Sequence, residues 1–402
     1  MHKIRTLSSA INHFSKAFKV LLVTGPRQVG KTTCLKDCAD NNRKYVTFDN
    51  PSALLKAKED TNAFLKEFAP PVFIDEIQYA PEIFRYIKIL VDDSDERGRI
   101  WMTGSQQFNM MQGVTESLAG RVAILNLLGF SIYEREDKGD KQQPFLPSEK
   151  APSVLSHKTP SETFHTIWQG SFPDVIDMGA QDREIFYESY IQTYIERDVR
   201  QLITIGDESS FMKFLKVTAA RSGQELDIND IARNVDISSN TAKKWLSILQ
   251  TSGLIYLLQP YFRNITKRLT KTPKLYFMDT GLACHLAGWT TSKSLENGIS
   301  AGAFFETFVI SEIIKSYYHN GRSATLYYFR DSERNEIDLL IHQDGQFYPI
   351  EIKKTSTPTN TDIKAFKTFS KIEKLAHGNL ICLTDEPQLL TPNATAISIW
   401  DI

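Results

Sequence analysis

The run Gly25-Pro26-Arg27-Gln28-Val29-Gly30-Lys31-Thr32 follows directly on the apolar stretch KVLLVT and precedes a segment of helical character. A G-x-x-x-x-G-K-S/T pattern between a strand and a helix confines its surroundings to an α/β unit built on a phosphate-binding loop. The spacing has a physical cause. Gly25 and Gly30 let the loop curl so that backbone N–H groups point inward, and the helix that follows presents its positive end to the same spot. In such a loop Lys31 reaches the β and γ phosphates of a nucleoside triphosphate, and the Thr32 hydroxyl ligates magnesium. Gly25, Pro26, Arg27, Gln28, Val29, Gly30, Lys31, Thr32 and Thr33 form the candidate nucleotide-binding segment.

About forty residues on, PPVFIDEIQ is an apolar strand that ends in two adjacent carboxylates. Asp75 at the strand tip is placed to hold magnesium through water, which makes Thr32 and Asp75 the candidate metal residues. Glu76 beside it is the natural base for an attacking water. Carboxylate, metal and activated water together mean hydrolysis of the terminal phosphoanhydride. The next strand, RIWMTGSQQ, ends in polar residues, of which Ser105 is best placed to sense the γ phosphate or to position water, with Gln78 a weaker candidate. In SLAGRVAIL, Arg121 precedes a strand edge. It either neutralises charge on a nucleotide, in its own or a neighbouring subunit, or makes a surface ion pair. Lys31, Glu76, Ser105 and Arg121 are the candidate catalytic set.

KVLLVTG, KYVTFDN, PPVFIDE, GRIWMTGS and RVAILNL read as five strands, with crossover helices around 52–68 and 83–91. Their β-branched content suits a mostly parallel, doubly covered sheet over residues 1–130. Ahead of it Leu7, Ile11, Phe14 and Phe18 recur at helical spacing, an amphipathic helix rather than the unbroken apolar core of a signal peptide. Residues 131–160 are polar and proline-bearing and read as a linker or surface excursion. Helical periodicity returns over 161–270. There Ile228, Ile231 and Ala232 start a short helix and residues 236–239 turn. Ser239 or Asn240 caps a second helix that carries Ala242, Trp245, Leu246 and Leu249 inward, Gly253 ends it, and LIYLLQP is a strand. Helix, turn, helix and strand is the winged-helix order. Lys243 and Lys244 face outward, so DNA is a candidate partner, although a purely structural module would carry the same letters.

The 47 basic and 48 acidic side chains nearly cancel, so any attraction to nucleic acid must come from a local patch. Four cysteines in 402 residues make no disulfide framework, and Cys34 and Cys38 fit as core on the helix after the loop. A reducing, cytoplasmic compartment suits them. No apolar run is long enough to span a bilayer.

From 271 to 402 a strand at 275–278 and a helix at 302–318 lead into strands ATLYYFR, EIDLLIH and FYPIEIKK, a helix near 363–372, and strands GNLICLT and AISIWDI. Period-two alternation puts Glu351 and Lys353 on one face of their strand, with Asp338 opening the neighbouring strand and Glu306 within reach on the preceding helix. Such carboxylates beside a lysine form a possible second metal site able to activate water against a phosphodiester. Two hairpin strands with charged outer faces would show the same residues.

GPRQVGKTT, FIDEIQ, MTGSQQ and SLAGR resemble the AAA_14-type ATPase domain of prokaryotes. TAKKWLSILQTSGLIYLLQPY, KLYFMDTGLACHLAG, GAFFETFVISEI, YYFRDSERNEIDLLI and YPIEIKK resemble the DUF4143 region that accompanies it. The resemblance implies an AAA+-related P-loop ATPase that uses ATP and Mg2+, with Lys31, Thr32, Asp75, Glu76 and Ser105 at the nucleotide and Arg121 less firmly so. It implies a winged-helix middle and a restriction-endonuclease-like α/β tail, in which Asp338, Glu351 and Lys353 match an acidic–ExK pattern and Glu306 is the helix acid. The expected function is magnesium-dependent ATP hydrolysis coupled to rearrangement of these domains. An ATP-regulated DNA-processing nuclease, or a non-catalytic module that binds a protein partner, is the alternative. Oligomerisation is compatible with either.

Overall fold

The structure, a computed structural model, describes residues 3–104, 114, 117–150, 154–195, 208–263 and 272–402. Its front portion is a five-stranded parallel sheet of β1 (Val20–Thr24), β2 (Lys44–Thr47), β3 (Val72–Asp75), β4 (Ile100–Gly104) and β5 (Val122–Asn126), in the order β2-β3-β4-β1-β5. Helices α1 (Leu7–Ala17), α2 (Lys31–Cys38), α3 (Pro51–Glu59), α4 (Thr61–Glu67) and α5 (Ile83–Asp92) cover it. The three central strands are buried along their whole length, which is why they read as unbroken apolar runs. Successive side chains of β1 point to opposite faces. Val20 and Leu22 pack with Phe64, Phe84 and Ile87 of α4 and α5, whereas Leu21 and Val23 pack with Leu7, Ile11 and Leu35 on the other side.

That second face does not stop at the front portion. One continuous core joins Leu21, Val23 and Phe73 to Phe164 and Phe214 in the middle of the chain and to Ile310 and Ile350 near its end.

The expected surface excursion over 131–160 is not what forms. Ser131 caps α6 (Ile132–Arg135) in a capping box with Glu134, and Ile132, Tyr133, Glu134, Phe145 and Leu155 are buried. The segment runs as a strap along a later helix, where Phe145 N donates to Ser316 Oγ (2.9 Å) and Tyr317 Oη donates to Phe145 O (2.8 Å). Three of its polar residues, Ser131, Glu134 and Gln142, are buried and serve one another inside, whereas Glu136, Asp137, Asp140 and Lys141 stay exposed. Ser131 Oγ and Thr6 Oγ1 both donate to the buried side-chain Oε1 of Gln142, at 2.7 and 3.1 Å.

The middle portion contains α7 (Pro160–Gln169), α8 (Ala180–Tyr190), α9 (Glu208–Ala220), β6 (Gln224–Glu225), α10 (Ile228–Val235), α11 (Ser239–Thr251), β7 (Ile255–Leu258) and β8 (Lys274–Phe277). Asp227 caps α10 and Ser238 caps α11, one residue earlier than the expected Ser239 or Asn240. Ala242, Trp245, Leu246 and Leu249 are buried as their spacing requires. The antiparallel sheet runs β6-β8-β7, so the strand assigned to the last unit belongs here, and a boundary at 270 cuts a hairpin. Short apolar runs do not announce their pairing partner.

After α12 (Thr280–Leu286) and α13 (Ser292–Glu296), the long helix α14 (Ala301–Tyr318) leads into β9 (Thr325–Arg330), β10 (Glu336–Gln343), β11 (Gln346–Ile352), α15 (Lys364–Phe369), β12 (Gly378–Cys382), β13 (Gln388–Thr391) and β14 (Ala394–Ser398). The six strands order as β13-β14-β12-β11-β10-β9, with an antiparallel meander over β9–β11 and β12 parallel to both β11 and β14. Among the described residues no helix is long and apolar enough to cross a membrane.

Candidate functional site

At the C-terminal end of β1 the loop turns through Gly25 at φ +146°, where a Cβ would meet the carbonyl oxygen of Leu127 at 1.9 Å. Gly30, at φ +86°, is the left-handed residue from which α2 starts. Both positions therefore demand glycine, for a close approach and for a backbone conformation respectively. The Lys31 side chain is buried and folded back over its own loop, with Nζ donating to Pro26 O (2.7 Å) and Gly25 O (3.1 Å). Val29 is core rather than ligand-facing, and Thr33 is exposed beyond the loop.

Asp75, 4% exposed at the tip of β3, is where three hydroxyls converge. Thr32 Oγ1 lies 3.0 Å from both carboxylate oxygens, Tyr45 Oη donates to Oδ2 at 3.0 Å, and Thr103 Oγ1 donates to Oδ1. Burial and the neighbouring Asp75 charge push the Tyr45 phenol up, which keeps it a donor. The chain then turns through Glu76 at φ +56°, a strained conformation for a non-glycine residue and one that recurs at functional sites. Glu76 N donates to Thr103 Oγ1 (3.3 Å), and its carboxylate accepts from Gln78 Nε2. The structure thus brings Lys31, Thr32, Asp75, Glu76 and Gln78 to the C-terminal end of the central strands. Ser105 lies outside the described residues.

Arg121 is elsewhere. Its carbonyl accepts from Val20 N (3.1 Å), so it sits at the entrance of β1, at the opposite end of the sheet from the loop. Its guanidinium makes a forked pair with Asp92 at the end of α5, Nη2 to Oδ2 being 3.0 Å. A role on the nucleotide of its own subunit is excluded by this placement. Spacing before a strand says nothing about which end of the sheet the loop occupies.

Sequence reasoning missed Arg5. This buried side chain donates from Nη1 to Val29 O in the phosphate loop (2.9 Å), from Nη2 to Leu128 O (2.9 Å) and from Nε to Glu134 Oε1 (3.1 Å). His319, which follows α14, closes the cluster. Leu128 N donates to its Nε2 (3.1 Å), so the ring proton is on Nδ1, 3.2 Å from Glu134 Oε2 but poorly aligned for a hydrogen bond. Burial pushes His319 down from the ordinary imidazole range, against the opposing pull of the Glu134 carboxylate. Burial alone would raise Glu134, but Arg5 and His319 bring it to about 2.

The tail carries a second buried charge cluster. Asp338 Oδ2 accepts from Ile352 N (2.9 Å), and Lys353 Nζ lies 2.6 Å from Glu351 Oε1 and 3.8 Å from Asp338. Glu306 projects in from α14. The fifth member, Lys274 of β8, had no sequence signal. Its Nζ lies 3.0 Å from Glu306, 2.5 Å from Glu336 and 3.5 Å from Asp338. Burial and Asp338 push Glu306 up to about 7 and Glu351 up to about 9. Among the described residues no group of three His, Cys, Asp or Glu side chains is placed to hold a metal ion. The expected site of Glu306, Asp338, Glu351 and Lys353 is therefore a charge network, which the Lys274 ammonium joins at Glu306 and Asp338.

The family model AAA_14, an AAA domain, matches residues 17–136. DUF8612 and DUF4143, both domains of unknown function, match 161–293 and 301–402. The uncharacterized proteins Rv2008c of Mycobacterium tuberculosis and Mb2031c of Mycobacterium bovis are each 30% identical over 344 residues, 85% of this chain and 71% of theirs. Among solved structures, a RuvB variant of Thermotoga maritima is 18% identical, with a TM-score of 0.30 over 62% of this chain and 85% of its own. AMPPCP-bound DnaA from Aquifex aeolicus is 12% identical, with a TM-score of 0.29 over 61% of this chain and 85% of its own.

Proposed function

Because the chain belongs to the family in which an AAA_14 domain is followed by DUF4143, we propose that it binds ATP with magnesium at residues 25–33 and hydrolyses the γ phosphoanhydride. The observation that carries this reading is the contact of Thr32 Oγ1 with the buried Asp75 carboxylate, beside Lys31 and Glu76. Hydroxyl and carboxylate in contact are a donor set that fits magnesium, Thr32 directly and Asp75 through water. The ion, when bound, neutralises charge on the β and γ phosphate oxygens.

The remaining steps fall to this chain's own groups. Lys31 leaves the carbonyls of Gly25 and Pro26 and takes up phosphate oxygens instead, a better exchange because both partners are charged. Glu76 accepts a proton from the attacking water, and Gln78 holds its carboxylate in the meantime. Arg5 ties the loop carbonyl of Val29 to Glu134 and, through it, to His319 after α14, so a loop that reshapes around phosphate pulls on the tail. This is the route we assign to coupling between the ATPase and the rest of the molecule.

The order α9, β6, α10, α11, β7, β8 supports a winged-helix reading of the middle portion, with Lys243 and Lys244 exposed on α11 as the candidate DNA contacts. The ATP-regulated nuclease alternative needs a divalent cation where Lys274 stands, and we do not carry it forward.

The test is nucleotide binding and phosphate release with Mg2+ for the wild type, Lys31→Ala and Glu76→Gln. We expect Lys31→Ala to lose ATP affinity, and Glu76→Gln to bind ATP while turnover falls about 10²–10⁴-fold. Unchanged turnover in Glu76→Gln refutes the mechanism. Binding without hydrolysis in the wild type points to the regulatory module instead.

A further inference from the structure

We propose that Lys274 is a tethered replacement for a divalent cation: its ammonium, delivered by β8 of the three-stranded sheet, fills the acidic centre of Glu306, Glu336 and Asp338, beside Glu351, and closes it to metal. The inference stands apart from the ATPase reading. The geometry argues for a built position rather than a chance surface pair. The Lys274 side chain is 5% exposed, and three carboxylates from α14 and β10 lie within 3.5 Å of its nitrogen. Glu306 is further held by the Tyr276 hydroxyl (2.6 Å), which comes from the same strand as the lysine. One strand thus supplies both the plug and the clamp.

The replacement is incomplete, and the shortfall has a location. An ammonium offers three hydrogens and one charge. Glu306 and Glu336 take the close contacts, and Asp338 at 3.5 Å is already marginal. Glu351 is 5% exposed, and its Oε2 has no hydrogen-bond partner among the described residues. A divalent cation with six to eight oxygen ligands would satisfy such an oxygen, and a lysine cannot. Lys353 does not substitute, because its side chain is 42% exposed and engages the outer side of Glu351 and Asp338. Removing Lys274 therefore leaves buried carboxylates that only a cation or protons can neutralise.

Mn2+ binding to the nucleotide-free full chain tests this, by calorimetry and by electron paramagnetic resonance. Asp75→Asn is present throughout to weaken cation binding at the phosphate loop, and Asp338 dependence separates the two sites. Against this parent we compare Lys274→Met and the charge-balanced pair Lys274→Met with Glu336→Gln, each with and without Asp338→Asn. We expect the Lys274 variants to bind Mn2+ at least tenfold more tightly than the parent, and to lose that binding when Asp338→Asn is added. Parent protein that binds Mn2+ in an Asp338-dependent way overturns the proposal, as do folded Lys274 variants that bind none. If circular dichroism shows both Lys274 variants unfolded, the ammonium is a structural strut rather than a displaceable cation, and the proposal also fails.

Discussion

Asp75 receives hydroxyls from Tyr45 on β2, Thr32 on α2 and Thr103 on β4, so a single carboxylate fixes the relative height of three elements around the loop. In Asp75→Asn an amide nitrogen would face donors in place of an acceptor. We expect the magnesium dependence of ATP binding to disappear, with a stability loss of about 1–3 kcal/mol in urea titrations. Arg5 is the more exposed to consequence, since its removal strands the buried Glu134 carboxylate. Arg5→Met should cost about 3–5 kcal/mol by the same measurement. The gathering of Lys31, Thr32, Asp75 and Glu76 at one end of the sheet was legible because the motifs that carry them are short local strings. Tyr45, Arg5 and Lys274 were not, because each finds its partners through strand pairing or packing across long separations. Arg121 was misplaced for the opposite reason: its local string is suggestive, but the string carries no direction along the sheet.

The strap over 131–160 shows how an element can be invisible to composition. Ser131, Glu134 and Gln142 satisfy one another and Thr6 inside, so three of its polar residues form an interior network while Glu136, Asp137, Asp140 and Lys141 face solvent. The network has a pH signature. Glu134 sits at about 2 in the fold against an ordinary 4.5, so its contribution is complete above 4.5 and is lost as pH falls from 4.5 through about 2. The difference corresponds to about 3 kcal/mol. Acid titration of unfolding free energy should show this loss in the wild type. Glu134→Gln should be less stable at neutral pH and should lose correspondingly less through the same window. Strand β8 teaches the complementary lesson. Its apolar run was found, but pairing with β6 and β7 was needed to assign it to the middle portion, and with it the position of Lys274.

At the scale of the molecule, the five front strands, the β9–β11 meander and the helix-turn-helix pattern followed from periodicity, whereas β13 and the way the portions lean on one another did not. The Arg5 route predicts that hydrogen exchange on binding Mg-ATP changes not only in the loop but also near 131–135 and at the end of α14. Changes confined to the loop would remove the route, and Arg5→Met should confine them. The two faces of the front sheet have unequal reach. Val20 and Leu22 face a core shared only with neighbouring helices, while Leu21 and Val23 face one that extends into every later portion. Neighbouring positions of one strand therefore differ in what a substitution can disturb, 20 and 22 locally and 21 and 23 throughout. A sheet with one such face is not a portable part. Recombination that moved it into another chain would have to carry along the surface it rests on, so the three portions are expected to be inherited together.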